Sequence, residues 1–305
     1  MMRVLDQVAL SPRLSELHVA SDVLESVSWL RILSPSTGAD AVERPVLWLL
    51  HGGDDDFRSW TDSGSAESLT ADLDAWVVMP DCGPGGWYTD WFRAEPAPGT
   101  QQWETHHLVE LRGWVERTHR TRTDRNGRAI VGLSMGGYGA LVYSARHPEL
   151  FGFCAAFSPA ADIVDPDFGV FADALSALNG GEPGCIWGDR IQHLDNWRAH
   201  NPVDLADRLA STELQLRTRD GRPGGPHAAT SPDGRPLTEG EVGEDLVERA
   251  VWHTACTLHR RLEELGIDHL WSDEGPGIHD WPYWSADLAA TLPAISACFA
   301  GTSAR

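Results

Sequence analysis

The fold class this sequence predicts is α/β: a mostly parallel, doubly wound sheet with helices on both faces. Two observations carry that expectation. Short, near-continuous apolar runs recur along the 305 residues, the pattern of strands covered on both faces. Stretches with apolar residues at helical spacing alternate with them.

Taken in order, Leu17 to Leu33 alternates loosely between apolar and polar residues and is expected to open the sheet with antiparallel strands. Pro45-Val-Leu-Trp-Leu-Leu-His51, ending at Gly52-Gly53, reads as a central strand. Ala75-Trp-Val-Val-Met-Pro80, Ala129 to Leu133 and Phe153-Cys-Ala-Ala-Phe157 are the next three, and Glu213-Leu-Gln-Leu-Arg217 and Asp268-His-Leu-Trp271 the last two. Trp103 to Thr121 carries Trp103, Leu108, Leu111, Trp114 and Val115 close to helical spacing. Glu244 to Leu265 and Pro282 to Phe299 are the other long helices expected. No linker divides the chain, so residues 1–305 read as one domain without internal repeats.

Composition sets bounds on function. The chain is 42% hydrophobic with 14 tryptophans, ample for a core, and its net charge is −21. Such a field repels nucleic acid and anionic membranes, and its plain consequence is solubility. No apolar run has the length of a transmembrane helix, and the N-terminal residues lack the apolar segment of an export signal. Five scattered cysteines without a Cys-x-x-Cys pair argue against a disulfide framework or structural zinc, so a reducing cytoplasm is the expected setting. Asp54-Asp55-Asp56 reads as a solvated loop rather than a metal site, and His106-His107 as surface or packing. Gly83-Pro-Gly-Gly86 lacks the strand-to-helix context of a dinucleotide fingerprint, so neither metal nor organic cofactor is expected.

The chemistry is concentrated in Arg128-Ala-Ile-Val-Gly-Leu-Ser-Met-Gly-Gly-Tyr-Gly-Ala-Leu141. A strand, a Gly-x-Ser-x-Gly corner and a helix of small residues form the nucleophile elbow of an α/β-hydrolase, with Ser134 at its tip. Gly132 and Gly136 flank a turn too tight for a Cβ. Serine needs a base and the base an orienting acid, which arrive in the chain order Ser, acid, His. His279 has the required late position between the last strand and the last helix, whereas His269 lies inside the strand-like run. For the acid, position after the penultimate strand favours Asp220, with Glu244, Asp245 and Glu248 following. The oxyanion donors expected are the N–H of Met135 and an N–H of the His51-Gly52-Gly53 turn, where Gly53 is chosen. Trp60, Trp87, Trp91, Trp281 and Trp284 fall in loops expected near the mouth, as pocket walls or as cement between loops and sheet. Residues 160–203 are expected as a partly helical excursion over the active-site face, and residues 220–243 as a long mobile loop.

With these residues in place, the chain resembles the putative-esterase branch of the α/β-hydrolases, which contains esterase D (S-formylglutathione hydrolase) and the antigen 85 mycolyltransferases. The antigen 85 likeness rests on Leu49-Leu-His-Gly-Gly-Asp-Asp-Asp-Phe-Arg-Ser-Trp60, Val78-Met-Pro80, Trp87-Tyr-Thr-Asp-Trp91 and Trp103-Glu-Thr105. It continues through Gly132-Leu-Ser-Met-Gly136 and His147-Pro148 to Gly277-Ile-His-Asp-Trp-Pro-Tyr-Trp284. The resemblance implies that the acid is a glutamate early in the helix before the final strand. Leu246-Val-Glu-Arg249 matches that segment, so Glu248 takes the role and Asp220 becomes the runner-up. It also implies that His51 occupies the place of an aspartate that handles the sugar in antigen 85, and that Arg93 to Thr100 replaces a disulfide loop. The expected activity is that of a serine esterase on a small-molecule ester or thioester, with Ser134, His279 and Glu248 as triad. His51, Trp60, Trp87 and Trp281 are the expected substrate-binding residues. Acyl transfer to an alcohol or sugar is the first alternative, and a binding protein on a hydrolase scaffold the second.

Overall fold

In the computed structural model, which describes residues 2–37, 42–93, 100–169, 182–225, 235 and 243–302, the apolar runs assemble into one sheet. Its strands are β1 (Arg3–Ala9), β2 (Leu14–Ser21), β3 (Ser26–Leu33), β4 (Val46–Leu50), β5 (Trp76–Pro80), β6 (Arg128–Leu133), β7 (Phe153–Phe157), β8 (Glu213–Thr218) and β9 (Leu270–Asp273). They lie side by side in the order β1-β2-β3-β5-β4-β6-β7-β8-β9. The first three form an antiparallel meander that joins β5 antiparallel. From β5 to β9 every pairing is parallel. Strand β1 was not expected from the pattern. It lies at the sheet edge with all its residues exposed, so no buried stripe exists for periodicity to reveal. His269 lies just before β9, and its Nε2 sits 2.8 Å from His259 Nδ1.

Alternate residues of the central strands enter two separate cores, as the two-residue strand period requires. Val46, Trp48 and Leu50 face one side with Ile130 and Cys154; Leu47 and Leu49 face the other with Val131 and Ala155. Helix α1 begins at Trp103–Thr105, widens into a π-helical turn over His106–Leu111 and ends as Arg112–Thr118. It shares the first core with α2 (Met135–Arg146) and α3 (Leu246–Glu264), through Leu111, Leu141 and Leu258. Helix α4 (Trp281–Ala300) covers the opposite face with Trp284, Leu288 and Ile295.

The histidine pair on α1 is packing and not surface. His106 bonds Glu110 at 2.8 Å, and His107 spans Tyr143 Oη and Asp81 O at 2.9 Å each. All five cysteines are free thiols. No helix among the described residues is long and apolar enough to cross a membrane. Of the expected excursion, 160–169 and 182–203 are described and include a short helix at Leu194–Arg198; 170–181 lies outside the described residues. Most of the expected 220–243 loop and residues 94–99 also lie outside them.

Because β4, β6, β7 and β8 run parallel, their carboxyl ends lie on one edge of the sheet. His51-Gly52-Gly53, Ser134, Ser158 and Arg219 leave the sheet there as neighbours. Ligand sites of open α/β sheets form at such an edge.

Candidate active site

The corner after β6 closes only because two glycines let backbones touch. A Cβ on Gly132 would lie 2.0 Å from Gly136 O, and one on Gly136 would lie 2.3 Å from Leu50 O. Strand β6, helix α2 and the end of β4 are thereby pressed together. Ser134, between them, takes φ 54° and ψ −119°, a strained conformation for a residue with a side chain. Its N–H donates to Phe157 O at 2.8 Å, which holds the strain in place. The hydroxyl stands at the start of α2, where the first N–H groups have no helical acceptor.

His279 lies in the loop between β9 and α4, just before the cap residue Asp280. Its Nε2 is 2.8 Å from Ser134 Oγ, and its Nδ1 is 2.6 Å from Glu248 Oε2. The partners assign the tautomer: Nδ1–H donates to the carboxylate, and Nε2 accepts from the serine hydroxyl. Glu248, in the first turn of α3, has no solvent exposure. Its Oε1 accepts from Ser158 Oγ at 2.8 Å and from Arg219 N–H at 3.0 Å, which offsets the cost of burying the charge. Behind it, the Arg219 guanidinium is buried and paired with Asp287 at 2.8 Å.

Chain spacing favoured Asp220, and the structure puts it elsewhere. Its carboxylate pairs with Arg222, and its N–H donates to Gly275 O. At the end of β8 it is the backbone N–H of Arg219, not the side chain of residue 220, that turns toward the site, and it binds a carboxylate delivered by α3. Ser158 and Arg219 were not anticipated. Ser158 occupies φ 43°, a backbone choice that sequence does not advertise. Arg219 contributes through a main-chain N–H, for which residue type is no signal.

Ser134, His279, Met135 and Gly53 meet at a cavity of about 230 Å³, whose remaining wall is largely apolar: Trp87, Phe168, Ala160 and Val251. Gly52 serves packing, since a Cβ there would lie 2.8 Å from Leu133 Cδ1. Of the four expected substrate residues, Trp87 reaches this wall. It is held there by a left-handed backbone at both Trp87 and Tyr88 (φ 54° and 46°) and by edge contacts with Tyr138 and Trp187. The other three are placed differently. His51 is buried; its Nε2 accepts from Cys82 N–H at 3.0 Å and its Nδ1 lies 2.7 Å from Gly52 O, so the ring braces the loop. Trp60 is buried against the edge of Trp281, and Trp281 against Trp284, whose ring meets His279 edge-on at 4.8 Å. Both stand on the far side of His279 from the cavity, held by edge-to-face contacts in which Trp60 meets Trp281 at the start of α4 and Trp281 meets Trp284.

In the triple-aspartate loop, Asp54 lines the cavity and Asp56 pairs with Arg58. Burial raises the carboxyl pKa of Asp55, against hydrogen bonds from Ser59 and Trp281. No cluster of His, Cys, Asp and Glu suited to a metal occurs among the described residues. A larger hollow, about 540 Å³, lies at the start of β8 beside His269, at the opposite end of the strands from Ser134.

A family model described as "Putative esterase" matches residues 21–295. The chain is 33% identical over 240 residues to esterase Rv1288 of Mycobacterium tuberculosis, an alignment covering 77% of this chain but only 48% of that protein. It is 26% identical over 292 residues to the diacylglycerol acyltransferase/mycolyltransferase Ag85B of Mycolicibacterium smegmatis, covering 88% of this chain and 83% of the relative. Among solved structures, MPT51 (FbpC1) of Mycobacterium tuberculosis superposes with a TM-score of 0.74 at 23% identity, covering 93% of this chain and 97% of that one. An S-formylglutathione hydrolase from Agrobacterium tumefaciens does so with a TM-score of 0.71 at 19% identity, covering 97% and 99%. At these identities the structural matches speak for the α/β-hydrolase fold.

Proposed function

The chain belongs to the putative-esterase family, and from that premise we propose that it is a serine esterase acting on a small carboxylic ester or thioester through an acyl-enzyme. The observation that carries this reading is the unbroken hydrogen-bonded path from Ser134 through His279 to Glu248, opening on the apolar cavity. Ser134 Oγ attacks the carbonyl carbon as its proton passes to His279 Nε2. Glu248 holds Nδ1–H and stabilises the imidazolium. The N–H groups of Met135 and Gly53 receive the oxyanion, and loss of one such donor costs about 10²–10³ in turnover. Collapse breaks the ester C–O or thioester C–S bond, and the leaving group takes the proton from His279. Water, deprotonated by the same imidazole, then releases the acid and restores Ser134. The five free thiols fit a reducing, cytoplasmic setting.

Transfer to an acceptor alcohol differs only in that last nucleophile. The likeness to the Ag85 acyltransferases keeps it as the second reading. The cavity favours a short acyl group: 230 Å³ is below the roughly 300–1,000 Å³ that enclose drug-sized ligands. Turnover of nitrophenyl esters of increasing chain length, wild type against Ser134→Ala, tests the proposal. Activity in the wild type alone supports it, and a Ser134→Ala variant as active as wild type refutes it. Adding sugar or alcohol acceptors and assaying for ester products separates transfer from hydrolysis.

A further inference from the structure

Building on the reading of Ser134, His279 and Glu248 as a triad, we propose that Asp245 is a positioning residue whose single carboxylate straps the backbone of the base to the helix that carries the acid. Asp245-Leu-Val-Glu248 has the form of a capping box, in which the fourth residue's carboxylate folds back to the N–H of the first. Here the box stays open. Asp245 N–H donates instead to Gly221 O at 2.8 Å, so nothing draws Glu248 back, and its carboxylate turns inward to His279. Asp245 then divides its two oxygens. Oδ1 caps α3, accepting from the N–H of Val247 at 2.9 Å and of Glu248 at 3.0 Å. Oδ2 leaves the helix and accepts from His279 N–H at 2.8 Å.

The acid and the base are 31 residues apart and reach the site on separate elements. Gly221 knits the same segments from below: its N–H donates to Gly277 O at 3.1 Å while its carbonyl holds Asp245. Its φ of +81°, and the 2.6 Å that would separate a Cβ from Asp245 O, make glycine the residue for that place. The carboxylate of Asp245 is thus the point where the main chain of His279 is tied to the main chain of Glu248. Releasing it frees the histidine loop while the helix cap persists. Misplacement of a reacting group by about 1 Å can cost on the order of 10²-fold in rate.

Cap and strap use different oxygens, so two substitutions part them. Asp245→Ser keeps one oxygen for the cap and has none for His279 N–H. Asp245→Asn keeps the cap oxygen and turns an NH₂ toward His279 N–H, so that two donors face each other. Serine and asparagine are both good N-caps, whereas Asp245→Ala loses cap and strap together. The primary readout is the rate at which a fluorophosphonate labels Ser134, with kcat, KM and Tm on any nitrophenyl ester turned over. In the Ser and Asn variants labelling and kcat are expected to fall roughly 10–100-fold, with KM near wild type and Tm above that of Asp245→Ala. Wild-type labelling in both variants overturns the proposal. So does a parallel fall of kcat and Tm matching Asp245→Ala, which would leave Asp245 a helix cap alone. A wild type that does not label, with a Ser134→Ala control to match, removes the triad reading itself and the proposal with it.

Discussion

Replacing Glu248 by glutamine tests the site more sharply than removing it, because the surroundings decide which way the amide must face. Oε1 of Glu248 accepts from Arg219 N–H, a main-chain donor at 3.0 Å that cannot rotate away. The glutamine carbonyl oxygen must take that position, which sends its NH₂ to the place of Oε2, 2.6 Å from His279 Nδ1. An NH₂ there requires a lone pair on Nδ1. The proton then moves to Nε2, where it points at Ser134 Oγ and the ring can no longer accept the serine proton. A wrong-tautomer histidine in a triad of this kind loses about 10⁴ in kcat, some 5 kcal/mol of transition-state stabilisation. Stability should hold, since the amide keeps the shape and removes a fully buried charge. The assay is kcat on a nitrophenyl ester beside a thermal melt, with Asp220→Asn as control. A Glu248→Gln enzyme within tenfold of wild type would refute the reasoning, as would an Asp220→Asn enzyme that had lost its activity.

Three further outcomes follow from the packing and the charges. Gly132→Ala should fail to accumulate as folded protein, because its Cβ would sit 2.0 Å from a backbone oxygen on a helix that cannot retreat; soluble yield and circular dichroism report it. Trp87→Ala should cost about 3–5 kcal/mol of stability, read in urea titrations, and shift ester preference toward longer acyl chains by removing the aromatic wall of the cavity. The pKa of Glu110 lies at about 2: burial pushes it up, but hydrogen bonds from His106 and Ser21 outweigh burial and bring it below its ordinary 4.5. A depressed carboxylate stabilises the fold above its unfolded pKa and loses that contribution as pH falls. Acid unfolding between about pH 4.5 and 2 should therefore be shallower in Glu110→Gln than in wild type, and identical curves would dismiss the Ser21–His106–Glu110 cluster as a source of stability.

What could be read in the sequence were the features with a local period or a local steric rule. The central strands showed themselves as short unbroken apolar runs, β2 and β3 by loose alternation, and α1, α3 and α4 by apolar residues at helical spacing. The Gly-x-Ser-x-Gly corner showed itself because tight backbone contact admits only glycine. His279 followed from its place after the last strand. Strand β1, exposed along its length, had no such period.

Tertiary structure alone decided the rest. Spacing placed the acid on Asp220, while resemblance placed it on Glu248. The folded chain sets Glu248 against His279 through Ser158 Oγ and Arg219 N–H, donors 90 and 29 residues away. The tryptophans divide the same way. Sequence placed Trp60, Trp87 and Trp281 together near the mouth, but a left-handed backbone turns Trp87 to the cavity, and edge-to-face contacts around Trp281 and Trp284 keep the other two behind His279. By itself the sequence marked Ser134 and His279, because each is written in its own short stretch of chain: a glycine-flanked corner after a strand, and the loop after the last strand. Which carboxylate meets His279, and which rings reach the cavity, depends on contacts between residues far apart in the chain, and these exist only once the sheet has brought its strand ends to one edge.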